Sequence, residues 1–181
     1  MQVQEKVTLK RDCLAILVPN GDKAIIPEGT EVGIAQSLGG SFTVQALGRL
    51  LRIDGENADA LGKEAPEKPQ LPPNATDSDV EAMVWEQLRT CYDPEIPINV
   101  VELGLVYSCD LTRLESGGRR ADITMTLTAP GCGMGDVLAG DVHQRVVEVP
   151  TIEDADVEIV FDPPWNPSMM SEYARLETGM F

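Results

Sequence analysis

The chain has 181 residues, 43% of them hydrophobic and 4% aromatic, and its 14 Lys+Arg against 30 Asp+Glu set a formal net charge of −16. That balance excludes the basic patch of a nucleic-acid binder and the Lys/Arg cluster of a protein docking on anionic lipid. The longest clean apolar run, Cys13 to Val18, is six residues against the roughly 20 of a membrane-spanning helix, and residues 1–6 hold no apolar signal core, so a soluble, cytoplasmic protein is expected.

Residues 1–62 read as a small β-rich module. Val7 to Val18 carries a β-rich apolar run, closed by the turn residues Pro19-Asn20-Gly21-Asp22. Ala24 to Ile26, Val32 to Ala35, Phe42 to Leu47 and Leu50 to Ile53 follow as short strands. Pro27-Glu28-Gly29-Thr30, Gly39-Gly40 and Asp54-Gly55 break them. Cys13 sits inside the first run and reads as packing. From Lys63 to Asn74, four prolines in twelve residues favour an extended connector. The charge changes across it: residues 1–62 hold 8 acids and 6 bases, and residues 77–181 hold 20 acids and 6 bases, all Arg. The expected organisation is a β-rich domain over 1–62, a Pro-rich linker over 63–76 and a second domain over 77–181.

The second domain opens with a helix. Thr76 with Asp79 and Ser78 with Glu81 are two overlapping capping boxes. Val80, Met83, Val84, Leu88 and Cys91 then fall on one stripe, and Asp93-Pro94 ends the helix. Leu103 to Leu111 is a predicted strand with Leu105, Tyr107, Cys109 and Leu111 on one, buried face. Ser116-Gly117-Gly118 turns the chain into a partner strand with Ile123, Met125 and Leu127 on one side. A Gly-rich loop, 129–135, leads into a helix from about Asp136 to Glu148. Val157, Ile159 and Phe161 mark a third strand. Asp162-Pro163-Pro164-Trp165 turns into a last helix with Asn166 as N-cap and Pro167 at N1. Trp165 and Met170 stand where a hydrophobic staple forms. The fold class is therefore α+β: a small β-rich N-terminal module followed by a two-layer α-β-β-α-β-α domain. Its hairpin is antiparallel and its strand-helix-strand crossover parallel.

This topology brings three loops to one edge of the sheet: Asp93 to Glu102, Thr128 to Gly135, and Asp162 to Trp165. Sites in α/β arrangements favour the carboxyl ends of parallel strands, so the site is expected there. Cys132 stands apart from Cys13, Cys91 and Cys109, because it lies in the Gly-rich loop just before a helix N-terminus. Such a position lowers a thiol pKa, and a thiolate is a nucleophile and a soft metal ligand. Its expected neighbours are Asp93, Glu95, Glu102, Thr128, Asp136 and Asp162. Alternatively, Cys132 packs under the glycines and Asp93 closes a turn. His143, the lone histidine, belongs to no catalytic array, which speaks against a Cys-His mechanism.

Three stretches carry a resemblance. Asp93-Pro94-Glu95-Ile96-Pro97-Ile98-Asn99-Val100-Val101-Glu102-Leu103-Gly104-Leu105-Val106 resembles the opening signature of the iron–sulfur cluster assembly domain family, which includes cytosolic cluster-targeting factors, PaaD-type and SufT-type proteins. Thr126-Leu127-Thr128-Ala129-Pro130-Gly131-Cys132-Gly133-Met134-Gly135 resembles its second, cysteine-bearing signature. Phe161-Asp162-Pro163-Pro164-Trp165-Asn166-Pro167-Ser168-Met169-Met170-Ser171-Glu172 resembles its third. Residues 35–44 and 52–62 are similar to the N-terminal extension of SufT-type proteins. The PaaD-type relatives usually carry extra C-terminal cysteines, and Thr178-Gly179-Met180-Phe181 has none.

The resemblance implies a non-enzymatic accessory factor in iron–sulfur protein maturation. Asp93, Glu95, Glu102, Thr128, Cys132 and Asp162 are then the functional residues, with Cys132 as metal ligand. The expected cargo is a transient iron–sulfur cluster or iron. The expected partners are apoprotein clients and the assembly machinery, with neither nucleic acid nor membrane. One thiolate cannot fill a cluster that usually takes four protein ligands, so a homodimer sharing a cluster between two Cys132 residues is the simplest carrier. The alternative is a metal-free adaptor that docks clients or machinery through its acidic domain. A thiol enzyme with Cys132 as nucleophile lacks a nearby base.

Overall fold

The structure, a computed structural model, describes residues 3–131 and 133–180. Cys132 thus lies outside the described residues. The chain forms two compact units, Met1–Glu67 and Lys68–Phe181.

The first unit is a six-stranded antiparallel sheet of order β1-β4-β5-β6-β2-β3. Its strands are β1 (Glu5–Thr8), β2 (Cys13–Leu17), β3 (Lys23–Ile26), β4 (Glu31–Leu38), β5 (Ser41–Ala46) and β6 (Arg49–Ile53). Strand β5 shows the driving pattern: Phe42, Val44 and Ala46 are buried while Gln45 faces out. That is the period-2 alternation of a half-buried strand. The predicted run from Val7 to Val18 is two strands, because β1 pairs with β4 whereas β2 pairs with β3 and β6. A 3-10 helix, Gly55–Leu61, follows β6, with the Asp54 side chain accepting from the Glu56 N–H. Asp54-Gly55, expected only to break a strand, thus opens a helical turn. Cys13 is fully buried in this core, as its place in the apolar run suggests. The Pro-rich stretch is divided: Pro66 lies against Gly55 of the first unit, and Leu71 packs on the second core.

The second unit is a three-stranded sheet of order β7-β8-β9, with three α-helices. In chain order it runs α1 (Asp77–Leu88), β7 (Val106–Arg113), β8 (Arg119–Met125), α2 (Gly135–Val147), β9 (Ile152–Ile159), a 3-10 turn (Pro167–Met169) and α3 (Glu172–Thr178). β7 and β8 are antiparallel, and β8 and β9 are parallel with α2 as the crossover. The core joins Val80, Val84 and Leu88 of α1, Leu138, Val142 and Val146 of α2, and Ala121, Ile123 and Met125 of β8. Each such buried Val, Leu, Ile or Met side chain contributes about 1.5–3 kcal/mol. The fold class is α+β.

Five local expectations are corrected. Of the two capping boxes, Thr76 with Asp79 is the one formed. The helix stops at Leu88, five residues early, because the Thr90 hydroxyl donates to the Gln87 carbonyl (2.7 Å) and the Cys91 N–H turns back to Leu88 O (3.1 Å). Cys91 is still buried. The first strand begins at Val106 rather than Leu103, and its pairing skips Tyr107: Val106 faces Met125 and Ser108 faces Thr124. This bulge moves Tyr107 off the core face, which is Val106, Cys109 and Leu111. The last helix is two pieces. Asn166 caps only the 3-10 turn, Met170 is extended (ψ 148°), and Ser171 caps α3 afresh. Met170 thus stands outside a helix, while Trp165 and Met170 both pack in the second core. Phe161 lies beyond β9 and is exposed.

Candidate functional site

The antiparallel hairpin and parallel crossover bring the loops 93–102, 128–135 and 162–165 to one end of the β7-β8-β9 sheet. Each is built by short-range hydrogen bonds. Asp93, only 7% exposed, accepts at Oδ1 from the N–H groups of Glu95 and Ile96 (both 2.9 Å). Asn99 does the same for Val101 (3.1 Å) and Glu102 (2.9 Å). These side chains fold the backbone as Asx turns, and Ile98 and Val100 anchor the loop in the core.

The first two loops meet where the Thr128 hydroxyl donates to Asp93 Oδ2 (3.3 Å). In the second loop, Ala129, Pro130, Gly131 and Gly133 are exposed, whereas Met134 and Gly135 are buried where α2 begins. Met134 supplies no side-chain cap to that helix. Cys132, the residue on which the sequence argument rests, lies outside the described residues.

The third loop is tied to the first strand region. The bulged Tyr107 donates its hydroxyl to Pro163 O (2.7 Å), and Trp165 Nε1 donates to Leu103 O (2.7 Å). Ser171 N donates to Glu102 O (2.8 Å). Bulges commonly re-aim a side chain in this way. Tyr107, Asn99 and Trp165 thus support the site, and residue type alone did not mark Tyr107; its signal is a bulge that alternation hides.

The sequence-derived candidates are distributed as follows. Asp93 and Thr128 are in contact. Glu95 is exposed, Glu102 is half-buried with its carbonyl holding Ser171, and Asp136 and Asp162 are exposed. Among the described residues no three His, Cys, Asp or Glu side chains gather as a metal site. Among those residues, too, none of these carboxylates is in an ion pair. The sheet's arginines sit at the opposite, hairpin end, where Arg113 and Arg119 hold Asp77, and Arg120 holds Asp122 and Asp154. Those guanidinium groups keep Asp77 ionised below the usual carboxylate range, Arg113 first and Arg119 second. The loop end is left with uncompensated negative charge, which attracts cations.

The three described cysteines are withdrawn. Cys13 and Cys91 are buried. Burial, aided by Glu81 and Asp110, pushes the half-buried Cys109 thiol up to about 11, and burial raises Cys13 as well. Thiols held protonated are poor nucleophiles and poor metal ligands.

Thr126, in the cysteine-bearing stretch, carries no functional signal in its residue type. It is 1% exposed, and its hydroxyl has no hydrogen-bond partner among the described residues. A buried unpaired hydroxyl costs about 1–3 kcal/mol. Thr126→Val removes it at almost constant volume and is expected to stabilise the second unit by about 1 kcal/mol, measured by urea denaturation. A loss of stability would show that the hydroxyl has a partner.

Three comparisons bear on this domain. A family model described as iron–sulfur cluster assembly protein matches residues 81–159. An Fe–S protein maturation auxiliary factor of Porphyromonas gingivalis is 42% identical over 99 residues, 55% of this chain and 90% of the relative. The Fe–S protein maturation auxiliary factor SufT of Staphylococcus aureus is 42% identical over 88 residues, 49% of this chain and 96% of the relative. Among solved structures, a crystal structure of a domain of unknown function from Bacillus anthracis is 34% identical, covering 57% of this chain and 95% of that one, with a TM-score of 0.49. The chain belongs to the iron–sulfur cluster assembly protein family and is of the SufT type. The family match falls wholly within the second unit. These relatives carry names of auxiliary factors rather than of enzymes. Among the described residues no helix is long and apolar enough to cross a membrane.

Proposed function

We propose that this chain is an accessory factor in iron–sulfur protein maturation that carries a cluster, or iron, transiently on Cys132 and passes it to apoprotein clients. The observation that carries the proposal is the family's cysteine-bearing loop, joined through Thr128 to the Asp93 turn at an electronegative end of the sheet. Support comes from the other three cysteines: Cys13 and Cys91 are buried, and Cys109 is half-buried with its thiol held protonated. The exposed glycines beside it fit a ligand that two subunits share. With one thiolate from each of two chains, a cluster keeps open positions. An external thiol fills them and a client's cysteines displace it. Under-ligation of this kind favours release over storage.

The test is anaerobic reconstitution with ferrous iron, sulfide and a small thiol, with Cys132→Ala in parallel. Visible absorbance, bound iron and molecular mass are recorded. The expected result is a cluster spectrum on a dimer of the parent protein and background iron on Cys132→Ala. Equal iron on both proteins, or none on either, would overturn the carrier role.

A further inference from the structure

Beside the Asp93 turn lies a cleft of about 320 Å³, formed by residues 95–98 of the first loop together with Tyr173, Glu177 and Met180. Ile96, Pro97, Tyr173 and Met180 give it an apolar wall between Glu95 and Glu177; Tyr173 is 57% exposed, and Leu176, on α3 beyond the lining, is 62% exposed. Tyr173, Leu176 and Glu177 follow i, i+3, i+4 spacing along α3, and Met180 follows the left-handed Gly179 that ends the helix. Exposed aromatic and aliphatic groups collected in one cleft mark an interaction surface, and tyrosine is a preferred interface anchor. The rim is acidic. Glu95 and Glu177 line the cleft, Glu172 is exposed at the start of α3, and the one base on α3, Arg175, is half-buried.

From this surface we infer a docking groove for a partner protein segment that presents an apolar anchor flanked by Lys or Arg. Charge decides the occupant. A second copy would bring Glu95, Glu172 and Glu177 toward an equally acidic surface on a chain of net charge −16, and like charges juxtaposed at an interface cost several kcal/mol. A basic-flanked segment gains from the same field, in on-rate above all. The groove shares the first loop with Asp93, so a bound segment lies next to the proposed transfer end. The partner's identity as client or assembly protein rests on the maturation reading; the groove's chemistry does not.

The test uses two fluorescent peptides of about a dozen residues with one shared Leu/Phe centre, one flanked by Lys/Arg and one by Glu. Binding to the full chain is followed by anisotropy at low and high salt. The basic peptide is expected to bind at least about tenfold more tightly than the acidic one and to weaken with salt. Tyr173→Ser is expected to abolish binding, and Glu95→Lys with Glu177→Lys to reverse the charge preference. These side chains are exposed, so unchanged thermal melts keep the comparison interpretable. Equal binding of the two peptides, or binding indifferent to these variants, would overturn the groove. So would concentration-dependent self-association lost in Tyr173→Ser, which makes a second copy the occupant. Tight binding seen only with Phe181→Ala would assign the cleft to the chain's own last residue and overturn it too. Cys132→Ala separates the two proposals: it leaves peptide binding intact if the groove is right, whatever becomes of the cargo.

Discussion

Gly104→Ala is expected to destabilise the second unit by about 3–5 kcal/mol. Gly104 sits at φ +71°, and a Cβ built on it would stand 2.2 Å from the Met169 carbonyl oxygen and 2.8 Å from its carbon. The left-handed conformation alone costs an alanine about 1–2 kcal/mol. The clash is with backbone, so no side chain can swing aside. The 3-10 turn must lift off the first loop, which strains the Trp165 Nε1 to Leu103 O and Ser171 N to Glu102 O bonds, each worth about 0.5–1.5 kcal/mol. Against a typical stability of about 5–15 kcal/mol, the loss is large. Both tryptophans, Trp85 and Trp165, lie in the second unit, so fluorescence in urea reads that unit without interference from the first. A shift below about 1 kcal/mol would show that the third loop does not lean on the first through this contact.

The same contact explains part of what the sequence hid. The hairpin at Ser116-Gly117-Gly118 and the parallel crossover through α2 were legible, because turn residues and apolar alternation are local signals. So were the Thr76 and Asn166 caps, whose side chains bond their own next turn. The start of β7 was not. Leu103 and Leu105 continue the apolar pattern, but Gly104 turns the chain between them to clear Met169, and both leucines are buried outside the strand, Leu103 in the turn and Leu105 just after it. Alternation also failed at Tyr107, where a one-residue bulge exchanges the two faces. The last helix breaks at Met170 because that side chain is drawn into the core while Ser171 offers a second cap, a tertiary preference overriding a local one. At the candidate site, the meeting of Asp93 with Thr128 follows from strand direction alone. The exposures of Glu95, Glu102 and Asp162 depend on turn geometry that spacing does not encode: Glu95 and Asp162 are exposed and Glu102 is half-buried.

Asp93→Ala and Asp93→Asn are expected to part company sharply. The alanine variant strips acceptors from the Glu95 and Ile96 N–H groups and from the Thr128 hydroxyl. Hydrogen bonds to a charged group contribute about 1.5–3 kcal/mol each. Water can reach the exposed Glu95 side of the turn, so the expected net loss is about 2–4 kcal/mol, with the first loop detached from the second. The asparagine keeps an Oδ1 for both N–H groups. Its amide nitrogen then faces Thr128, whose hydroxyl changes from donor to acceptor by rotating, and the expected loss is below about 1.5 kcal/mol. Both carboxylate oxygens of Asp93 already accept hydrogen bonds within the loops, so its role is to hold the cysteine-bearing loop in place. Asp93→Asn should therefore bind iron in the anaerobic reconstitution nearly as the parent does, while Asp93→Ala should fail even under conditions where it stays folded. A folded Asp93→Asn protein that binds no iron would reverse this assignment: the negative charge itself would then act on the cargo, and the turn would be incidental to it.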